Sequence, residues 1–187
     1  MRSKQTGFTM IELIVVIVIL GILSAVALPR FTNIQGDARR AKLNAARGAI
    51  ASASAMVHGS AIVRQGLVQP VCLGSGAVPT APTTIAALTG NGQLCTENGN
   101  IDVNRLYPSA TLAGVVAVAG LVPGNVVPTA ATLATEGYAA VAAGGVVTVQ
   151  VPGGSNPATC AFTYTAPAAL GAAPVISQLT AATTAGC

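Results

Sequence analysis

The chain has 187 residues, of which 7% are charged and 52% hydrophobic, and its formal net charge is +4. That length allows one ordinary domain plus an anchor, and so few charges depart from the roughly 25% of a typical soluble domain. Arg2 and Lys4 supply two of the nine Lys/Arg, so without them the excess over the five acids falls to two, and the basic charge is weak evidence for a nucleic-acid partner.

The chain opens with Met1-Arg2-Ser3-Lys4-Gln5-Thr6-Gly7, a short basic leader, followed by Phe8-Thr9-Met10-Ile11-Glu12 and an almost unbroken apolar run to Leu28. A secretory signal places its small-residue cleavage site after the apolar region. Here the small residue, Gly7, precedes it, so a cut at that point leaves the apolar segment in the mature protein. From Met10 to Leu28 a helix spans about 30 Å, the thickness of a hydrocarbon core. The basic leader orients it with the N-terminus in the cytoplasm.

The helical pattern continues past Pro29. Leu43, Ala46, Ile50, Ala53, Val57 and Ala61 recur at spacings of three and four, one face of an amphipathic helix, with Arg39, Arg40, Lys42 and Arg47 mostly off it. The spacing predicts a helix from Thr9 to Val63, roughly 80 Å long. Pro29, and more weakly Gly36, are expected breaks, and Gly21 and Pro29 bracket a stretch of low helical security.

Residues 66–100, rich in Gly, Pro, Thr and Asn, read as a connecting loop. Residues 111–135 fit a short helix or a strand. Four strands are predicted at Gly137–Ala142, Val146–Val151, Cys160–Thr165 and Val175–Thr180, the first two joined at Gly144-Gly145. The fold class is therefore α+β, a long N-terminal helix on a small antiparallel sheet.

Four cysteines beyond the apolar segment read as two disulfides in an oxidising compartment. Three pairings are open. The sequential one, Cys72–Cys95 and Cys160–Cys187, is favoured because it closes two local loops and ties down the last residue. The only histidine is His58 and there is no C-x-x-C pair, so no metal or cofactor site is expected. The oxygen-rich stretch Glu97 to Asn104 does not match a calcium loop and reads as turns. Arg39-Arg40-x-Lys42 reads as a helix face rather than a phosphate grip. No Ser-His-Asp set, paired carboxylates or Gly-rich phosphate loop appears in the outer part, so no enzyme activity is expected.

Gly7-Phe8-Thr9-Met10-Ile11-Glu12-Leu13, the apolar segment and Pro29 resemble the prepilin signal of type IV pilins. Leu28-Pro29-Arg30-Phe31, Gly36-Asp37-Ala38-Arg39, Asp102-Val103-Asn104, Tyr107-Pro108 and Cys160 to Thr165 are similar to the mannose-sensitive haemagglutinin class of type IVa pilins. The resemblance implies cleavage between Gly7 and Phe8 and N-methylation of Phe8 by a prepilin peptidase. It implies that Glu12 neutralises the N-terminal amine of a neighbouring subunit, with a Thr9–Glu12 capping box as its local role. It also implies that the helix loses hydrogen bonds between Gly21 and Pro29 in a fibre.

The organisation expected on this reading is a leader at 1–7, a membrane and fibre-core half-helix at 8–30, an amphipathic half-helix at 31–64 and a head at 65–187. The precursor would sit in the inner membrane of a Gram-negative bacterium. An assembly platform would polymerise it with its own copies into an extracellular fibre for adhesion or motility. The alternatives are a type II secretion pseudopilin and, further off, a membrane-anchored enzyme.

Overall fold

A computed structural model describes residues 8–68, 84–96, 99–124 and 127–187. The chain divides into two compact units, Met1–Ala38 and Arg39–Cys187. Helix α1 covers Met10–Arg64, within a residue or so of the sequence prediction. It runs without interruption through Pro29 and Gly36, where breaks were expected. Pro29 removes one ladder donor, but helix propagation is cooperative and the intact turns on either side carry it through.

In the second unit the predicted stripe is the buried face of α1. Leu43, Ala46, Ile50, Ala53, Val57 and Ala61 are between 0% and 7% exposed. Leu43, Ala46 and Ile50 join one apolar core, and Val57 and Ala61 join a second. The alternating strands supply the opposite wall.

Two antiparallel sheets follow. The first holds β1 (Gly92–Thr96), β2 (Gly99–Asn104) and β3 (Tyr107–Pro108) in sequence order. It lies partly in the segment read as a loop. Composition misled there: Gly, Pro and Asn have low strand propensity, yet Gly99, Ile101 and Val103 alternate inward while Asn100, Asp102 and Asn104 are only partly buried. Leu94 and Val103 pack in the second core with Val57, Ala61 and Ile85. The stretch read as turns is thus a strand over its described part, and Glu97 and Asn98 lie outside the described residues.

Residues 111–135 hold a π-helical turn at Leu112–Val116 and helix α2 at Ala130–Thr135, the latter capped by Thr129 and Thr132. The second sheet is β4 (Ala139–Ala143), β5 (Val146–Gln150), β6 (Ala161–Thr165) and β7 (Val175–Ile176), again in sequence order. Gly144 and Gly145 have φ of 57° and 77°, the two left-handed residues that a tight hairpin of this twist requires. β7 is shorter than predicted. Ser177 still exchanges bonds with Thr163, then Thr180 caps the short helix α3 (Ala181–Thr184).

Val147 and Val149 of β5 and Phe162 and Tyr164 of β6 are the inner wall of the first core. The Tyr164 hydroxyl donates to the Pro108 carbonyl at 2.8 Å, joining β6 to β3. Burial is the main reason the Tyr164 phenol is pushed up to about 12 from its ordinary 10; Ser54 acts the other way and Tyr107 adds to the rise. The folded state thus prefers the neutral phenol. Its contribution, about 2–3 kcal/mol, is complete below pH 10 and is lost as pH climbs from 10 through 12. Tyr164→Phe is expected to lower the urea midpoint at pH 8, because the Pro108 carbonyl loses its donor at a cost of about 1–3 kcal/mol. The same variant should show a smaller further fall between pH 10 and 12 than the wild type. Urea titrations followed by near-ultraviolet circular dichroism at both pH values check the pair.

Candidate assembly site

The sequence predicts its functional residues on the first unit, and their local geometry is simple. Thr9 caps α1. Its hydroxyl accepts from the Glu12 amide at 3.3 Å, while its own amide and hydroxyl donate to Glu12 Oε2 at 3.1 and 2.9 Å. This is the reciprocal capping box read from Thr-x-x-Glu. All of it falls on one carboxylate oxygen. Oε1 has no hydrogen bond among the described residues, so the carboxylate keeps one face for another donor.

Around that carboxylate the helix presents apolar side chains in every direction. From Phe8 to Leu28 each residue is exposed except Ala27, which is half-buried. Its large side chains, at about 1.5–3 kcal/mol each, would together cost about 20–40 kcal/mol to hold in water. A folded domain of this size is stable by about 5–15 kcal/mol. The segment therefore needs lipid or other subunits around it, and it is long and apolar enough to cross a membrane.

Gly21 and Pro29 sit on the same helix. Pro29 has no N–H to offer the Ala25 carbonyl. The Ser24 hydroxyl bends back to the Gly21 carbonyl at 2.9 Å, a bond of the kind that loosens a helix backbone. Sequence reasoning singled out the glycine and the proline and passed over Ser24, whose spacing of three from Gly21 was the available clue. Gly7 lies outside the described residues.

The second unit holds the disulfides. Cys160 and Cys187 are bonded, with S–S 2.10 Å and Cα–Cα 4.8 Å. Cys95 is also disulfide-bonded, and its predicted partner Cys72 lies outside the described residues. The space beneath the last turn is closed. A Cβ on Gly186 would stand 1.9 Å from the Asn156 carbonyl oxygen, and one on Gly154 would stand 1.8 Å from that of Gly186.

The basic side chains serve the same unit as clips. Arg39 Nη1 donates to the Cys187 carbonyl at 2.8 Å, Arg47 Nε to that of Ser177 at 2.9 Å and Arg64 Nη1 to that of Cys95 at 3.1 Å. Lys42 Nζ donates to the Glu136 carbonyl and stands 4.5 Å from the Tyr138 ring centroid; Arg105 donates to the Pro167 carbonyl. A cation engaged by a backbone dipole inside the fold is poorly placed to hold a phosphate as well. His58 donates from Nδ1 to the Leu106 carbonyl at 3.1 Å and stacks on Tyr107 with ring centroids 3.9 Å apart. No group of three or more His, Cys, Asp or Glu side chains able to hold a metal occurs among the described residues.

Comparison with known proteins points to the same segment. Residues 2–28 match the family described as the prokaryotic N-terminal methylation motif. The chain is 50% identical over 56 residues to the type IV narrow pilus major component PilA5 of Thermus thermophilus, covering 30% of this chain and 47% of that one. It is 54% identical over 33 residues to the type IV major fimbrial protein FimA of Dichelobacter nodosus, covering 18% of this chain and 21% of that one. The chain thus spans about half the length of the first of these relatives and about a fifth of the second. No solved structure matches it. The N-terminal segment of the chain thus carries the prokaryotic N-terminal methylation motif, and over part of its length the chain is similar to major subunits of type IV pili.

Proposed function

We propose that the chain is a structural subunit of a type IV pilus. A prepilin peptidase cuts it between Gly7 and Phe8 and methylates the new amino terminus of Phe8. Until assembly, the helix from Phe8 to Leu28 lies in the inner membrane. An assembly platform then moves it from lipid into a bundle of identical helices, and the fibre leaves the cell surface.

One observation carries this reading: an apolar segment exposed on all sides whose single carboxylate is engaged at only one oxygen. Burying an unpaired carboxylate among apolar helices costs several kcal/mol. The N-methylated amine of an adjacent subunit supplies the missing charge and fixes how far one subunit slides along the next. Gly21, Ser24 and Pro29 give the segment a weak turn or two where it stretches on leaving the bilayer. The finer resemblance to mannose-sensitive haemagglutinin pilins, carried by pieces of the helix and of the head, belongs to this same proposal.

The reading is tested by shearing cells that express the chain and imaging the supernatant by electron microscopy. Thin filaments that contain the chain, and vanish when its gene is deleted, are the expected result. A chain found only in the membrane fraction, with no filaments, would sink it.

A further inference from the structure

The second sheet ends in an edge that the fold leaves open. The bonds from Ala166 N to Gly145 O, and from Val151 N to Cys160 O, show which β5 residues point at β6: those in step with 145 and 151, hence Val147 and Val149. Val146, Thr148 and Gln150 therefore point at β4, where they pair with Ala143, Val141 and Ala139. Ala140 and Ala142 are left with their N–H and C=O directed away from the sheet. Neither has a hydrogen bond beyond the strand among the described residues. The other outer strand of this sheet, β7, is only two residues long.

Proteins protect such edges with charge, proline or a bulge. β4 reads Ala139-Ala140-Val141-Ala142-Ala143 and has none of the three. Val141 is 62% exposed on the face opposite the core, beside Thr148. The run of unpaired donors and acceptors specifies what fits: another extended strand.

The sequence specifies which strand. Ala-Ala-Val-Ala-Ala is the same in both directions, so an antiparallel copy centred on Val141 sets Val141 against Val141 and alanine against alanine. Ala140 and Ala142 then exchange bonds with Ala142 and Ala140 of the copy, four in all, across a two-fold axis. Charge agrees with this register. Lys42, over the Tyr138 ring, meets the uncharged Gly144-Gly145 turn of the copy, and the two Glu136 residues lie far apart at opposite ends.

The geometry points to edge-to-edge pairing of β4 between two copies of this chain, giving one continuous eight-stranded sheet across two heads. A two-fold contact cannot repeat along a polar fibre, so the pair joins two fibres side by side or two subunits outside a fibre. The inference is independent of the fibre reading, because the apolar segment from Phe8 to Leu28 takes no part in it.

Cysteine cross-linking of the full chain in detergent tests the register. Directly opposed residues have Cβ atoms about 4.5–5.5 Å apart, within reach of a disulfide after small shifts. Val141→Cys should give a covalent dimer under mild oxidation. Ala143→Cys lies on the same face, but its two copies stand about 13 Å apart and should give at least tenfold less. Sedimentation of the wild type should show a concentration-dependent dimer, and Val141→Lys should weaken it about fivefold or more. Equal cross-linking by the two cysteine variants, or none from Val141→Cys with the Cys160–Cys187 bond intact, overturns the proposal. If Val141→Cys does not fold, sedimentation decides alone. A monomeric wild type, or a dimer indifferent to Val141→Lys, overturns it, and a dimer lost in that variant upholds it.

Discussion

Ile50→Asp is expected to leave the head unfolded. Ile50 is fully buried on α1, in the core formed with Val147, Val149, Phe162 and Tyr164. An aspartate there has no cation to meet, since Arg47 and Lys42 are held by the Ser177 and Glu136 carbonyls. A buried, unpaired carboxylate together with the lost apolar contacts costs about 4 kcal/mol or more, a large share of the stability of a domain this size. Ile50→Val removes one methylene and should cost only about 1 kcal/mol. Denaturant titration of both variants, with protease digestion of the aspartate variant, checks the contrast. A folded, protease-resistant Ile50→Asp head would show that the stripe does not hold the unit together.

Glu12→Leu is expected to have the opposite profile, with a normal head and no fibre. The substitution makes α1 more apolar, so insertion into the membrane should be unimpaired. What it removes is the carboxylate that would meet the adjacent amine. A charge pair of that kind is worth several kcal/mol in an apolar surrounding, so sheared fibre should fall by about a hundredfold or more while subunit accumulates in the membrane. Thr9→Val is the control. It takes away one donor to Glu12 Oε2 and the cap of the Glu12 amide but leaves the charge, so it should lower fibre yield far less. Immunoblots of sheared and membrane fractions compare the three chains. A Glu12→Leu chain that assembles as well as the wild type would mean that Glu12 only caps the helix.

Local periodicity made much of the fold legible. The spacing from Leu43 to Ala61 foretold the buried stripe, since a helix repeats every few residues whatever surrounds it. Gly144-Gly145 foretold the hairpin, since two left-handed residues in a row require glycine or its near equivalents. The first sheet was hidden because Asn100, Asp102 and Asn104 resembled ligands or turn residues, while only Ile101 and Val103 showed the alternation.

At the N-terminus, Thr9 and Glu12 were legible because a capping box has a fixed spacing. The clips made by Arg39, Lys42, Arg47, Arg64 and Arg105 were not. Each ends on a backbone carbonyl, and a carbonyl carries no residue identity for a pattern to find. The open edge of β4 was hidden for a related reason. Which amides face outward depends on hairpin register, which the strand composition does not encode.

The central claim is that the apolar helix begins at Phe8 in the working protein and is the part that polymerises. Mass spectrometry of the subunit in purified sheared filaments tests it most directly. The account predicts an N-terminal peptide that starts at Phe8 and carries one added methyl group on its amine. A filament subunit that still starts at Met1 would contradict it.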